Sequence, residues 1–240
     1  MRPDVVHAVI AVKNLDRAKS RLADRLPPAV RARLVLAMVS DTVSAAVTAG
    51  LGSVTVVTPD PDVADTVSAL GAVVHPDPMG AAVTADAAEA DGLNAALADA
   101  AAAVRARHGA VDLLALQADL PALRADELAA MLTAAPAAGR AIVADHAGHG
   151  TAALLVRDGN APLAPLFGAD SARRHIASGA MDLVGDWPGL RLDVDTAADL
   201  ERAIALGVGP ATGALLADIG WPSPVHTDLT RRYASRSHVC

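Results

Sequence analysis

Short apolar runs rich in β-branched residues alternate along this chain with stretches whose apolar residues recur every three or four positions. The first run, Val5-Val6-His7-Ala8-Val9-Ile10-Ala11-Val12, is apolar on both alternating sets of positions. A strand covered on both faces reads this way, whereas a strand with one wet face alternates. After Pro27-Pro28, a tolerated helix opening, Val30, Leu34, Met38, Val39, Val43 and Val47 recur at helical spacing until Gly50. The pattern repeats. Further strands are expected at Ser53–Thr58, Ala72–His75, Val111–Leu116, Arg140–Asp145, Thr151–Val156, Met181–Val184 and Leu190–Val194. Helices are expected at Asp62–Leu70, Gly92–Arg107 (capped by Asp91), Ala125–Ala134, Ser171–Ser178, Ala197–Leu206 and Ala211–Ile219. Residues 76–90, rich in Pro, Ala and acid, read as a mobile loop. Such alternation implies an α/β fold, a mostly parallel sheet flanked by helices on both faces. Residues 1–220 read as a single domain, and 221–240 as a weakly structured tail.

Composition narrows the function classes. Apolar residues make up 52% of 240, enough for a sizeable core, yet Phe167, Trp187, Trp221 and Tyr233 are the whole aromatic complement. The formal net charge is −7, and no Lys or Arg lies between Arg33 and Arg105. A nucleic-acid binder needs a basic face, so nucleic acid is not an expected partner, and neither is a membrane surface. Met1-Arg2-Pro3-Asp4 has no signal-peptide pattern and no apolar run is long enough to span a bilayer. The single Cys240 excludes an intrachain disulfide. A cytoplasmic protein is the expectation, and a homodimer is compatible with it.

In parallel sheets of this kind, ligands bind beyond the carboxyl ends of the strands. Lys13 and Lys19 follow the first strand, Thr58 and Asp60 the second, and Asp119 the fourth, so these residues should converge on one edge. Lys13 and Lys19 are the chain's two lysines; all other basic residues are Arg. A compact, mobile ammonium suits a phosphate that moves during reaction better than a rigid guanidinium fork does. The loop Lys13–Leu22 also carries Arg17 and Arg21 but lacks the glycines of a dinucleotide fingerprint or a P-loop. It reads as a phosphate site or, more plainly, as solvated cations.

Four other constellations carry chemistry. Asp119, just past a buried strand and before Leu120-Pro121, can aim a carboxylate into the crevice for Mg²⁺, or can serve as a turn or cap residue. Asp193 and Asp195, at i and i+2 of an expected strand, face the same way, and paired carboxylates call for a cation between them. Thr196 with Asp199 reads as a helix capping box. Gly148-His149-Gly150-Thr151 and Phe167-Gly168-Ala169-Asp170-Ser171 offer close backbone approach and a helix start for an anion, or ordinary turns and a cap. Asp91-Gly92-Leu93-Asn94 offers an amide to a nucleobase, or simply opens a helix. His146-x-x-His149 has a spacing that zinc uses but lacks a third ligand.

Taken in order, several of these segments resemble one family. They are Ala11-Val12-Lys13, Ala18-Lys19-Ser20-Arg21-Leu22-Ala23, Thr58-Pro59-Asp60, Gly92-Leu93-Asn94 and Gln117-Ala118-Asp119-Leu120-Pro121. Gly150-Thr151-Ala152, Phe167 to Arg173, Trp187-Pro188-Gly189-Leu190, Asp193-Val194-Asp195-Thr196 and Leu206 to Thr212 complete the series. From about Val5 to Ala217 the chain resembles the guanylyltransferases of deazaflavin coenzyme (factor 420) biosynthesis, which activate phosphoenolpyruvate or 2-phospho-L-lactate with GTP. The resemblance implies a nucleotide-diphospho-sugar-transferase-like (glycosyltransferase-A-like) fold. It implies Mg²⁺ on Asp119, Asp193 and Asp195, and the three-carbon phospho-acid at Thr151, Gly168 and Ser171. GTP would meet Lys13, Lys19, Arg21 and Asn94, with Lys13, Lys19 and Asp119 carrying the catalysis. Phosphoenolpyruvate is the expected acceptor; 2-phospho-L-lactate, 3-phosphoglycerate, a sugar phosphate or molybdopterin, and a non-catalytic nucleotide-binding role are the alternatives. One departure stands out. The family has Gly before the metal-binding Asp where this chain has Ala118, and a required positive φ or a very close ligand approach there would strain the site.

Overall fold

Seven strands form a single sheet among the described residues, and their order explains where a site can open. The computed structural model describes residues 6–13, 15, 19–78 and 86–221, with 86–89 by backbone alone. Arg17, part of the expected loop 76–90 and all of the tail beyond Trp221 lie outside that range. The strands are β1 (Val6–Ala11), β2 (Ser53–Val57), β3 (Val73–His75), β4 (Asp112–Leu116), β5 (Gly139–Ala144), β6 (Thr151–Arg157) and β7 (Met181–Asp182). The helices are α1 (Pro28–Thr48), α2 (Pro61–Ala69), α3 (Asp86–His108), α4 (Ala125–Ala134), α5 (Ser171–Ala177), α6 (Pro188–Arg191), α7 (Ala197–Leu206) and α8 (Pro210–Asp218). The order across the sheet is β3-β2-β1-β4-β6-β5-β7. β1, β2, β3 and β4 run parallel, and β6 is antiparallel to both neighbours. The chain winds outward from β1 to β3, then returns to β4 on the other side of β1. That reversal leaves a crevice at the carboxyl ends of β1 and β4.

The continuous apolar strands are explained by two cores. Successive side chains point to opposite faces of a sheet. Ala8, Ile10, Val54, Val56, Leu114 and Leu116 join Leu34, Met38, Val39 and Val43 of α1, Leu128 and Met131 of α4 and Leu200 of α7 in one core. Val9, Leu113, Ala115, Ile142 and Leu154 join Ala96, Leu97, Ala100, Ala101 and Val104 of α3, with Phe167, on the other. With one Phe in the sequence, small and branched side chains fill both layers.

Two expectations are corrected. α3 is already helical at Asp86, so Asp91 and Gly92 lie inside it and Asp91 does not cap it. The Ala-rich run around them has strong helix propensity and absorbs the roughly 1 kcal/mol cost of one internal glycine. Leu190–Val194 is not a strand. Pro188 opens the one-turn α6, and the Leu192–Asp195 segment that follows enters no ladder. The capping box of Thr196 and Asp199 forms as read, with Thr196 N–H donating to Asp199 Oδ2 at 2.9 Å and Asp199 N–H to Thr196 Oγ1 at 3.2 Å.

Buried charges finish helix ends that the chain could not cap locally. Glu127 of α4 accepts the N–H groups of Gly189 and Leu190 at 3.0 Å each, which closes the start of α6. Arg157 donates to the carbonyls of Leu132, Ala135 and Pro136, covering the end of α4. Asp41, 6% exposed in the middle of α1, accepts Ala211 N–H at 3.0 Å and Thr212 N–H at 2.8 Å and so caps α8 from a distance. Asp41→Ala leaves two buried donors without a partner. It should lower stability by about 1.5–3 kcal/mol, read as a reduced urea midpoint at unchanged slope.

Candidate functional site

The loop after β1 reaches the ends of three other strands. Lys13 Nζ pairs with Asp77 Oδ2, just past β3, at 2.7 Å. Leu15 N–H approaches Asp60 Oδ2, past β2, at 3.4 Å. Lys19 sits in the left-handed region with φ 54°, ahead of a 3-10 turn Ser20–Leu22 whose Leu22 is fully buried. Buried Leu22 anchors the turn, and the turned backbone delivers Lys19 inward. Its Nζ bonds Asp119, past β4, and Asp195 Oδ1 at 2.9 Å. The Lys19 side chain is only 10% exposed. Burial works against its charge, but the Asp119 and Asp195 carboxylates outweigh that and raise its pKa above the ordinary lysine value. Arg21, largely exposed, lies 3.5 Å from Asp195 Oδ2. The two lysines of the expected phosphate loop therefore stand on different carboxylates.

Asp119, Asp193 and Asp195 converge as expected, but through irregular backbone and not through a strand. Val194 N–H donates to the Asp119 carbonyl at 3.1 Å, which ties the two acidic segments together. Burial raises the Asp193 pKa to about 6, and Asp119, Asp195 and Asp145 add to the rise. Burial also pushes Asp195 upward, but Lys19, with Arg21 and His146, reverses the direction, and its pKa ends below the usual carboxylate value. His146 spans 3.6 Å to Asp193 Oδ1 and 3.4 Å to Asp199 Oδ1. Its ring therefore serves carboxylates rather than zinc. Asp145 holds the turn between β5 and β6 by accepting His149 N–H at 3.0 Å and Gly150 N–H at 2.8 Å.

The donor set fits Mg²⁺ only in part. Asp119 Oδ1 and Asp193 Oδ1 are buried and have no hydrogen-bond partner among the described residues. Unsatisfied carboxylate oxygens beside a clustered negative charge are what a hard cation needs. Yet no group of three His, Cys, Asp or Glu side chains forms a ready cage among the described residues. Mg²⁺ commonly takes one or two carboxylates and completes its shell with substrate phosphate and water, and these residues match that mode. Ala118 adopts a backbone conformation open to any residue. Lys19, Ala164 and Asp170 are the described non-glycine residues with positive φ, so Ala118 needs no glycine conformation.

Thr151, Gly168 and Ser171 are gathered around the start of α5, with their polar groups turned largely inward. Thr151 is 1% exposed, and its Oγ1 lies 3.0 Å from His175 Nδ1. Ser171 is equally buried. Ser171 N–H donates to Gly168 O at 3.2 Å and Ala172 N–H to His149 O at 3.1 Å. Those two donors of α5 are thus already engaged, and the expectation of an open helix start for an anion is not met there. Gly168 has φ 118°, which a side chain would strain. Asn94, expected to face a nucleobase, uses its amide on Phe167, accepting Phe167 N–H at 2.8 Å and donating to Phe167 O at 3.1 Å. It holds the Phe167–Gly168 segment against α3. Asp77, Thr42 and His175 entered no sequence motif. Each is a lone residue in a helix or loop, and only the fold gives it partners.

The sequence matches the guanylyl transferase CofC-like family over residues 6–237, a span that continues past Trp221, where the resemblance was expected to stop. A phosphoenolpyruvate guanylyltransferase of Nocardia farcinica is 67% identical over 96% of this chain and 99% of that protein. A phosphoenolpyruvate guanylyltransferase of Rhodococcus erythropolis is 51% identical over 88% and 95%. Among solved structures, one from Desulfovibrio desulfuricans G20, assigned as a nucleotide-diphospho-sugar transferase, superimposes with TM-score 0.62 at 15% identity over 90% of this chain and 95% of that one. At such identity it speaks for the fold, which is the one expected. No helix among the described residues is long and apolar enough to cross a membrane.

His175 gives a pH prediction. Burial lowers its pKa to about 4 from 6.5, with Arg140 and Arg174 contributing. Its Nε2 accepts Leu166 N–H at 2.8 Å, so a proton there would set two N–H groups against each other. The unfolded chain takes up that proton near pH 6.5 and the folded chain does not. The stability from neutral His175 is therefore full above pH 6.5 and is lost as pH falls toward 4. The stability difference between wild type and His175→Gln should shrink by about 2–3 kcal/mol across that window, measured by urea unfolding at pH 7 and pH 4.

Proposed function

The chain belongs to the guanylyl transferase CofC-like family, and from that premise we propose that it transfers GMP from GTP to phosphoenolpyruvate. The products are enolpyruvyl-diphospho-guanosine and pyrophosphate. The named activity of the Nocardia and Rhodococcus relatives, each covered over 95% or more of its length, supports this acceptor. The observation that carries the reading is the Lys19 ammonium held between Asp119 and Asp195 at the carboxyl ends of β1 and β4. The site joins a buried lysine ammonium to clustered carboxylates, the combination needed to bring two polyanions together.

The acceptor phosphate oxygen attacks the α-phosphorus of GTP in line. A new P–O bond forms as the bond to the β-phosphate oxygen breaks, and its electrons leave with pyrophosphate. Lys19 and Lys13, with Arg21 at the rim, offset the charge that gathers on the leaving group. Asp119 and Asp193, whose Oδ1 atoms have no hydrogen-bond partner among the described residues, would hold Mg²⁺, with Asp195 holding Lys19 beside them. When bound, Mg²⁺ supplies charge neutralisation and alignment of the two phosphate anions. A phosphate monoester is already anionic near neutral pH, so no protein nucleophile or general base is required. The turn at Gly168 would form the acceptor's wall, with buried Thr151 and Ser171 supporting it from behind. Here Asn94 acts by holding the Phe167–Gly168 segment. The product would feed deazaflavin coenzyme (factor 420) assembly in the cytoplasm.

Pyrophosphate release with Mg²⁺ tests the reading, with GTP and ATP set against phosphoenolpyruvate, 2-phospho-L-lactate, 3-phosphoglycerate and mannose 1-phosphate. Turnover should require GTP and phosphoenolpyruvate. Turnover on the sugar phosphate alone would reassign the acceptor, and GTP binding without turnover on any acceptor would point to a binding module. Lys13→Ala should lose at least about 10-fold and Asp119→Asn more, since a charge-assisted contact contributes roughly 1.5–3 kcal/mol. Wild-type rates in either variant would remove that residue from the mechanism.

A further inference from the structure

We infer that Thr42, in the interior of α1, is a positioning residue that fixes Asp119 from behind. The inference rests on the reading of Asp119 as a residue of the reacting centre. Thr42 is fully buried. Its Oγ1 lies 2.9 Å from Met38 O, an ordinary helical back-bond. The same oxygen lies 3.1 Å from Ala118 O and accepts Leu120 N–H at 3.1 Å. Its single proton is shared between Met38 O and Ala118 O, while its oxygen accepts Leu120 N–H, so the hydroxyl meets the main chain on both sides of Asp119. On its other side, Val194 N–H bonds the Asp119 carbonyl. The Asp119 backbone is thus pinned between a rigid helix and the segment carrying Asp193 and Asp195.

The arrangement answers a physical problem. Asp119 follows β4, beyond the last ladder bonds, where a loop would let its carboxylate wander. Asp119 must also stay close to Asp193, although like charges push the two apart. A clamp on the peptide groups resists that push without touching the carboxylate, leaving its oxygens for Lys19 and a metal. Supports of this kind orient ligands and tune their affinity, and their loss typically costs about 10- to 100-fold in metal affinity or activity. Among the described residues, α1 makes no other side-chain hydrogen bond to this loop, so the effect should concentrate at position 42.

The test compares Thr42→Val, which keeps the shape and removes the hydroxyl, with Thr42→Ser, which restores it. Three readouts are taken: the thermal midpoint, kcat and KM for pyrophosphate release, and Mn²⁺ affinity in the presence of GTP by electron paramagnetic resonance. Thr42→Val should stay folded, weaken Mn²⁺ binding and lower kcat by about 10-fold or more, with the KM for GTP nearly unchanged. Thr42→Ser should recover most of both losses. A purely structural threonine would instead shift the thermal midpoint alone. If Thr42→Val binds Mn²⁺ and turns over like wild type while Asp119→Asn fails, the clamp is wrong and the functional reading stands. If Asp119→Asn also behaves like wild type, the role of Asp119 falls and the clamp with it. Should Thr42→Val not fold, Thr42→Ala against Thr42→Ser decides by the same readouts.

Discussion

Like-charge repulsion among Asp119, Asp193 and Asp195 is the constraint around which the site is built. These carboxylates are drawn together from the β4 loop and from the segment before α7, with Asp145 close enough to raise Asp193 further. Carboxylates crowded in this way are unfavourable unless a cation joins them or one takes a proton. The chain uses the first outlet and leans toward the second. Lys19 bridges Asp119 and Asp195, while Asp193, which makes no ion pair with that ammonium, has its pKa lifted to about 6. A single ammonium leaves the cluster under-neutralised, which is the condition for accepting a further cation along with phosphate.

The surrounding fold holds this unfavourable cluster in place. β1 and β4 lie side by side in the sheet with apolar cores on both faces, so the ends of those strands are rigid. Helix α1 supports the acidic loops through Thr42 and anchors α8 through Asp41. Glu127 of α4 orders α6, which leads into Asp193. Asp41, Thr42, Glu127 and Arg157 thus sit at junctions between elements, where they bond main-chain groups of a neighbouring segment.

The α/β architecture was legible because every sheet strand from β1 to β6 leaves a local apolar signature. Helices α4 and α7 were read to the residue, from periodicity and, for α7, from a local capping box. Two misreadings share a cause. Asp91-Gly92 looked like a helix start, and Leu190–Val194 looked like a strand, because each carries a plausible local signal. The Ala-rich stretch overrode the first, and Pro188 with the distant Glu127 overrode the second. The meeting of Lys19 and Asp119 at one sheet edge was legible because both lie just past apolar runs that read as parallel strands. The partnerships of Lys13 with Asp77 and of Asn94 with Phe167 were not, since each links segments more than 60 residues apart.

By itself the sequence determined the alternation of strands and helices, the sheet edge that would carry the chemistry, and the acidic and lysine residues placed on that edge. These are consequences of local period and of residue type, which need no knowledge of neighbours. The tertiary structure alone decided which cation meets which carboxylate, that Thr151 and Ser171 turn inward to α5, and that a threonine in the middle of α1 clamps the loop of Asp119. Those outcomes depend on distances between segments remote in the chain, and such distances are set only when both faces of the sheet have packed.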